Sequence, residues 1–218
     1  MRSLLFKMVI IQVLVAGTVS LLESQIPVIP ADTSSSSTPT WILSTEFYFY
    51  YLPDEDFFVV PIFYADHDWL HLEARYNYED FRSLSFFAGR TLGVGEELQL
   101  EVIPMLGGVF GNTLGVIPAL EMDLAYRNLE LYCEAEYVFD LRDSQANFFY
   151  NWAELSYYPL EWLQLGITSQ QTKDKADDWL IEHGLLLGFS YGDYSLVSYL
   201  FNPGGDDVFY IFSLGVDF

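Results

Sequence analysis

The sequence predicts an all-β fold, a closed antiparallel transmembrane β-barrel of twelve strands, with ten strands as the alternative. Three observations predict it. The chain ends at Phe218 inside a run that alternates with period two, its hydrophobic residues are dispersed in similar alternating runs, and turn signals separate an even number of these runs. A soluble sheet rarely ends on an exposed aromatic edge, whereas a closed barrel pairs its last strand with its first.

The carboxy-terminal strand carries the most specific pattern. One of its faces holds Tyr210, Phe212, Leu214, Val216 and Phe218. This face resembles the recognition strand of bacterial outer-membrane β-barrel proteins, whose last residue is typically Phe and whose alternate upstream positions are apolar or aromatic. The resemblance covers about Trp41 to Phe218 and is to the porin-like class, not to one family within it. It implies insertion into outer-membrane lipid by the barrel-assembly machinery, with these residues as the assembly signal.

The amino terminus has the pattern of a secretory signal. Arg2 and Lys7 precede an apolar run from Met8 to Ala16, and small residues follow. The run is short for a bilayer span, so we favour a cleaved signal peptide over residues 1–20 rather than a retained helix. Residues 21–40 are rich in Ser, Thr and Pro and are expected to be a flexible lead-in. The barrel then occupies residues 41–218.

Composition narrows the functional classes. Hydrophobic residues make up 51% of the chain and aromatic residues 18%, and the formal net charge is −22. Nucleic acid is therefore a poor partner. The single cysteine, Cys133, excludes an internal disulfide.

Alternating runs and turns place the twelve strands in order. They are predicted to start near Trp41, Phe57, Trp69, Arg82, Glu97, Thr113, Leu129, Asn147, Trp162, Leu180, Tyr194 and Asp207. About ten residues of tilted strand span the apolar layer, and an even count puts both termini on the periplasmic side. Aromatic residues should then mark the periplasmic strand ends, at Trp41, Trp69, Tyr126, Trp162 and Tyr194.

Parity assigns each side chain to lipid or lumen, because lipid-facing positions must be apolar. In the seventh strand the predicted inward residues are Glu130, Tyr132, Glu134, Glu136, Val138 and Asp140. In the third strand, parity directs His71, Glu73, Arg75 and Asn77 inward, and Leu70, Leu72, Ala74, Tyr76 and Tyr78 outward. Arg75 is the clearest cation of an otherwise carboxylate-rich lumen.

The inward acids are the candidate functional residues. The predicted lumen and selectivity set is Glu73, Arg75, Glu101, Glu121, Asp123, Glu130, Glu134 and Glu136. Glu73, Glu101 and Glu134 follow their turns at similar distances, so they are expected to contribute to an acidic collar of the kind that selects cations. The alternative is that Glu merely solvates the barrel interior.

The sixth and seventh strands raise an electrostatic problem. Their short turn puts Glu121 and Asp123 opposite or diagonal to acids of the next strand, and like charges in those positions destabilise a sheet. Arg75, protonation of carboxylates or bound cations would each relieve the repulsion. A cluster of His67 and His71 with nearby acids lacks a well-defined third ligand, so no metal is assigned. No catalytic constellation stands out, and the sequence predicts neither an enzyme nor a cofactor.

The predicted function is a narrow passive channel with an acidic, cation-preferring lumen that admits small cationic or neutral solutes. Oligogalacturonate porins are also twelve-stranded, but they pass an anionic sugar through a basic lumen, and the acidic lining argues against that substrate. Twelve strands permit either a narrow pore or a filled core. The alternative is therefore a nonconducting structural or surface-interaction barrel that binds cations or envelope partners.

Overall fold

The computed structural model describes residues 40–53, 55–175 and 178–218. The predicted signal peptide and nearly all of the predicted lead-in lie outside them. The strands are β1 (Ile42–Tyr51), β2 (Phe58–His67), β3 (Leu70–Tyr76), β4 (Leu84–Arg90, continued by Leu92–Val94), β5 (Leu98–Phe110), β6 (Gly115–Tyr126), β7 (Leu129–Asp140), β8 (Phe148–Leu160), β9 (Leu163–Asp174), β10 (Leu180–Tyr191), β11 (Tyr194–Phe201) and β12 (Phe209–Asp217). Both segments of β4 pair with β5, so they form one interrupted strand.

The sheet closes on itself as a twelve-stranded antiparallel barrel. Each strand pairs with its neighbours in sequence, and β1 pairs with β12 from Ser44↔Asp217 to Tyr51↔Tyr210. The predicted fold class is confirmed, and twelve rather than ten strands is the correct count. Closure removes the sheet edges whose unpaired backbone groups would otherwise face lipid.

Burial alternates along the strands with period two, as the parity argument requires. In β7 the inward residues from Glu130 to Val138 are buried, while the intervening side chains are half-buried or exposed. The outward face is apolar and accessible, with Leu106 62% and Ile167 55% exposed. Among the described residues, no helix has the length and apolar character needed to cross a membrane.

The two ends of the barrel differ in the lengths of their connections. At the end that holds Ile42 and Asp217, consecutive strands are joined by two residues, or by three at 95–97. At the opposite end the connections have four to seven residues, and the one at 77–83 follows β3. The five predicted belt aromatics all lie at the short-turn end, and each is at least 39% exposed.

Candidate functional site

A charged cluster occupies the barrel interior around Arg75, whose side chain is fully buried. Its guanidinium Nη1 lies 2.7 Å from Glu134 Oε1 and 3.4 Å from Glu136 Oε2. Its Nη2 lies 3.5 Å from Glu121 Oε1, and its Nε donates to Glu73 Oε2. We call these five residues the Arg75 cluster. It holds four carboxyl groups and one guanidinium, so its formal charge is strongly negative.

Strand register explains why these acids meet. Glu121 of β6 and Glu134 of β7 are direct cross-strand partners, and both are buried. Like charges opposite each other destabilise a sheet, and the low dielectric of the interior strengthens their repulsion. Arg75 reaches both from β3 on another part of the wall. The guanidinium therefore supplies a positive counter-charge to this hairpin.

Two aromatic rings hold the guanidinium in place. Arg75 Cζ lies 4.2 Å from the Tyr78 ring centroid and 4.3 Å from that of Phe87. The Tyr78 hydroxyl donates to Glu134 Oε2, so one residue contacts both charges. Gly107 leaves room for Phe87, since a Cβ there would lie 2.4 Å from the ring. Cation–π contacts and ion pairs together restrict Arg75 to one orientation.

The position of Tyr78 corrects the parity assignment, which put it toward lipid. β3 ends at Tyr76, and Asn77 adopts a left-handed conformation with φ 59°. The chain therefore turns, and Tyr78 enters the barrel, where it is 1% exposed. A strand-parity rule does not extend past the end of the strand. The only sequence signal for the turn is the polar run around Asn77 and Asp80.

Glu79 lies in the same inward-folded loop, and the sequence analysis did not predict it as a lumen residue either. It is buried, and the Ser85 hydroxyl oxygen lies 2.6 and 2.5 Å from its two carboxyl oxygens, within hydrogen-bonding distance of both. Burial raises its pKa to about 7, although the positive charge of Arg75 acts in the opposite direction. Because the folded-state pKa is raised, this group stabilises the fold most at low pH, and its contribution is lost as pH rises through about 7.

We therefore expect the Glu79→Gln variant to lose less stability than the parent protein between pH 5 and pH 8. Glutamine cannot ionise, so the variant lacks the proton release that penalises the parent protein over this interval. Urea unfolding of the refolded barrel at both pH values measures the difference. Equal pH dependence in the two proteins would contradict the assignment.

The remaining predicted acids form a second group nearer the short-turn end. Glu101 and Asp123 are cross-strand partners, and Asp123 in turn pairs with Tyr132. Glu130 interacts electrostatically with Asp123 and receives a 3.5 Å hydrogen bond from the Tyr158 hydroxyl. We call Glu101, Asp123 and Glu130 the turn-side acids. Glu101 and Asp123 are only partly buried, unlike the members of the Arg75 cluster.

The structure thus distributes the predicted lumen set over two levels. Glu73 and Glu134 both contact Arg75, but Glu101 interacts instead with Asp66, His71 and Asp123. The three residues of the expected collar point inward, yet they do not share one ring of contacts. Strand tilt and stagger separate positions that are equivalent in sequence.

Aromatic side chains fill the lumen beside the Arg75 cluster. Tyr48, Tyr50, Tyr150 and Trp152 are all 0% exposed, and Trp152 Nε1 donates to Glu154 Oε1 at 2.8 Å. Glu46 accepts from the hydroxyls of Tyr48 and Tyr64. The four aromatic side chains are fully buried, so passage of a solute along this section requires side chains to move.

His71 and two acids of the Arg75 cluster offer donors suited to a metal ion. His71, Glu73 and Glu121 each offer one ligand atom, and these atoms lie within 4.8 Å of one another. They come from β3 and β6, which are distant in sequence. The sequence analysis grouped His71 with nearby acids of the same hairpin. It placed Glu121 in the lumen but could not predict that Glu121 lies beside His71.

The fold is shared with solved outer-membrane proteins. No protein-family model and no curated protein matches the chain. The structure of the KdgM porin in complex with disordered oligogalacturonate has a TM-score of 0.58 at 12% sequence identity, covering 80% of this chain and 99% of that chain. The NanC porin gives a TM-score of 0.56 at 11% identity, covering 80% and 98%.

These similarities establish architecture. The chain has the porin-like β-barrel fold of bacterial outer-membrane proteins. Both similar structures are of porins. At 11–12% identity, likeness of fold does not carry substrate or selectivity from one barrel to another.

Proposed function

We propose that this protein is a narrow passive channel of the outer membrane whose lumen prefers cations. The observation that carries the proposal is the Arg75 cluster, in which four carboxyl groups surround one guanidinium inside the barrel. The turn-side acids add negative charge along the same lumen. Charged side chains at a constriction set the sign of the ion that a pore admits, and carboxylates favour cations.

The same charge distribution bears on the class of solute. Oligogalacturonate, bound in the similar KdgM structure, is a polyanion. The acidic lumen of this barrel would repel such a solute, because the negative potential of the lumen raises the energy of a negatively charged solute that enters it. Small cationic or neutral solutes are the class that the lining favours.

The orientation that we propose has both termini in the periplasm. The short-turn end carries Ile42 and Asp217, and outer-membrane barrels have short periplasmic turns and longer outer loops. The proposed partners are outer-membrane lipid, which the apolar outer face fits, and the barrel-assembly machinery, which would recognise the terminal strand.

Reversal potential under a salt gradient tests the selectivity. The refolded barrel in a planar bilayer should give cation-selective openings. The triple variant Glu101→Gln, Asp123→Asn, Glu130→Gln should move the reversal potential toward zero, because it removes three inward charges. These residues are preferable to the Arg75 cluster for this purpose, since their loss leaves the buried ion pairs intact.

A matched variant controls for total charge. Glu96, Glu97 and Glu161 are exposed residues in the short turns, and their replacement by Gln removes the same number of charges outside the lumen. This variant should keep the parent reversal potential. Anion-selective openings of the parent protein, or equal shifts in both triple variants, would refute the acidic-lumen proposal.

A nonconducting barrel is the second candidate, and the complete burial of Tyr50, Tyr150 and Trp152 favours it. A filled lumen of this kind serves structural or surface-binding functions without ion flow. Folded, bilayer-inserted protein that shows no openings across a wide voltage range would support this candidate over the channel.

A further inference from the structure

His71 occupies a position in the lumen that its neighbours define closely. It is 5% exposed, its Nδ1 lies 2.7 Å from Asp66 Oδ1, and its Nε2 lies 2.8 Å from Glu73 Oε1. Asp66 is the direct cross-strand partner of His71. A carboxylate that accepts from one imidazole nitrogen and leaves the other for a ligand is the usual outer partner of a metal-binding histidine.

Glu73 is oriented between two different partners. Its Oε1 faces His71 Nε2, whereas its Oε2 accepts from Arg75 Nε. One oxygen can therefore coordinate an ion beside His71 while the other keeps the ion pair. Within the described ranges, the polar side-chain contact of Glu121 is the 3.5 Å one with Arg75, and Glu121 completes the group of donors from another strand.

A buried hydroxyl gives an independent indication of a ligand. Tyr132 is 5% exposed, and its hydroxyl has no hydrogen-bond partner within the described part of the chain. Tyr132 is the cross-strand partner of Asp123 and precedes Glu134 by one inward position, and it interacts electrostatically with Glu121 and Glu73. A buried polar group without a partner is costly, and a bound ion or ion-bound water is one of its few explanations.

We propose that His71, Glu73 and Glu121 bind one divalent transition-metal ion of the zinc type in the barrel lumen, with the Tyr132 hydroxyl facing the ion. One imidazole nitrogen and two carboxylate oxygens suit Zn²⁺ in a four-coordinate site whose fourth position is open to water or to the phenol. Mg²⁺ and Ca²⁺ prefer sites made of oxygen alone. The bound ion also offsets the excess negative charge around Arg75. The proposal concerns equilibrium binding and holds whether or not the barrel conducts.

Metal content of the folded barrel tests the site. Protein refolded in detergent, treated with chelator, incubated with Zn²⁺ and passed through a desalting column should retain about one zinc per barrel by elemental analysis. Ca²⁺ or Mg²⁺ in excess should not displace it. Competition with a chromogenic chelator should show that His71→Gln and Glu121→Gln weaken binding by at least about tenfold.

His67→Gln is the matched control, because His67 lies at the end of β2 in the same hairpin, near the acids of the turn. It should bind Zn²⁺ as the parent protein does. Each variant is first checked for the compact, heat-modifiable form on a gel. If a His71 or Glu121 variant does not fold, Tyr132→Phe and the visible spectrum of the Co²⁺-loaded parent protein replace it. The Tyr132→Phe variant should bind Zn²⁺ more weakly than the parent protein does. The spectrum of the Co²⁺-loaded parent protein should show nitrogen ligation in a site of low coordination number.

Three results would overturn the proposal. The first is a parent protein that retains no stoichiometric zinc. The second is a His67→Gln variant that loses the ion while His71→Gln keeps it, and the third is a Co²⁺ spectrum identical to that of the hydrated ion. A bilayer experiment that shows no cation selectivity would refute the channel proposal but would not change the zinc-binding results. The two proposals can therefore be refuted independently.

Discussion

Replacing Arg75 with methionine is expected to lower the free energy of unfolding by about 3–5 kcal/mol, the usual cost of removing one partner from a buried ion pair. Methionine retains most of the length of the side chain but cannot donate to Glu73 or Glu134. The register that places Glu121 opposite Glu134 remains, so their repulsion persists without its counter-charge. Tyr78 and Phe87 also lose the cation between their rings.

Urea unfolding of the refolded barrel measures this effect, with Arg127→Met as the control. Arg127 also forms an ion pair, at 3.0 Å with Glu97, but both side chains are 68% exposed. Exposed pairs of this kind contribute about 0–1 kcal/mol, so the control should unfold nearly as the parent does. Equal destabilisation by the two substitutions would show that the Arg75 cluster contributes no special stability.

A double variant separates lost charge from lost packing. Adding Glu134→Gln to Arg75→Met removes one of the repelling carboxylates and should recover part of the lost stability. Glutamine keeps the shape of the side chain and can still accept from the Tyr78 hydroxyl. No recovery would mean that the packing of the arginine, not its charge, dominates.

Strand positions and side-chain directions were predictable because a membrane wall imposes a strict alternation. One face of every strand meets lipid and the other does not, so the identity of Leu131 or Cys133 reports the direction of Tyr132 between them. The predicted start of β7 at Leu129 is the observed one, and the other predicted starts fall within two residues of the structure.

Contacts across the lumen were not predictable from the same pattern. Which inward residues meet depends on strand stagger, which sequence periodicity does not encode. Arg75 meets Glu134 and Glu136, which lie 59 and 61 residues away, whereas Glu101 lies at another level. Tyr78 and Glu79 belong to a loop, where the two-residue period no longer applies. The Arg75 cluster therefore contains predicted residues in an arrangement that only the fold reveals.

Deleting residues 209–218, which are β12 and the final residue Phe218, is expected to abolish the folded barrel. β12 pairs with β1 and with β11 through eight register positions on each side. Its loss leaves two strand edges in lipid, where no water replaces the missing hydrogen bonds and each unsatisfied group costs several kcal/mol. Ile211, fully buried in the lumen, is lost as well. Refolding into detergent should yield no heat-modifiable band.

Substituting Phe218 alone separates assembly from stability. Its side chain is 79% exposed, and its described hydrogen bond is made by the backbone N–H to Leu43 O at 2.9 Å. Phe218→Ala keeps that bond, so refolding in detergent should proceed as in the parent protein. If the barrel-assembly machinery recognises the terminal aromatic residue, the same variant should accumulate poorly in the outer membrane of living cells, although it refolds in detergent. Normal accumulation would show that the exposed ring is not part of an assembly signal, whereas failure to refold in detergent would assign it a direct role in stability.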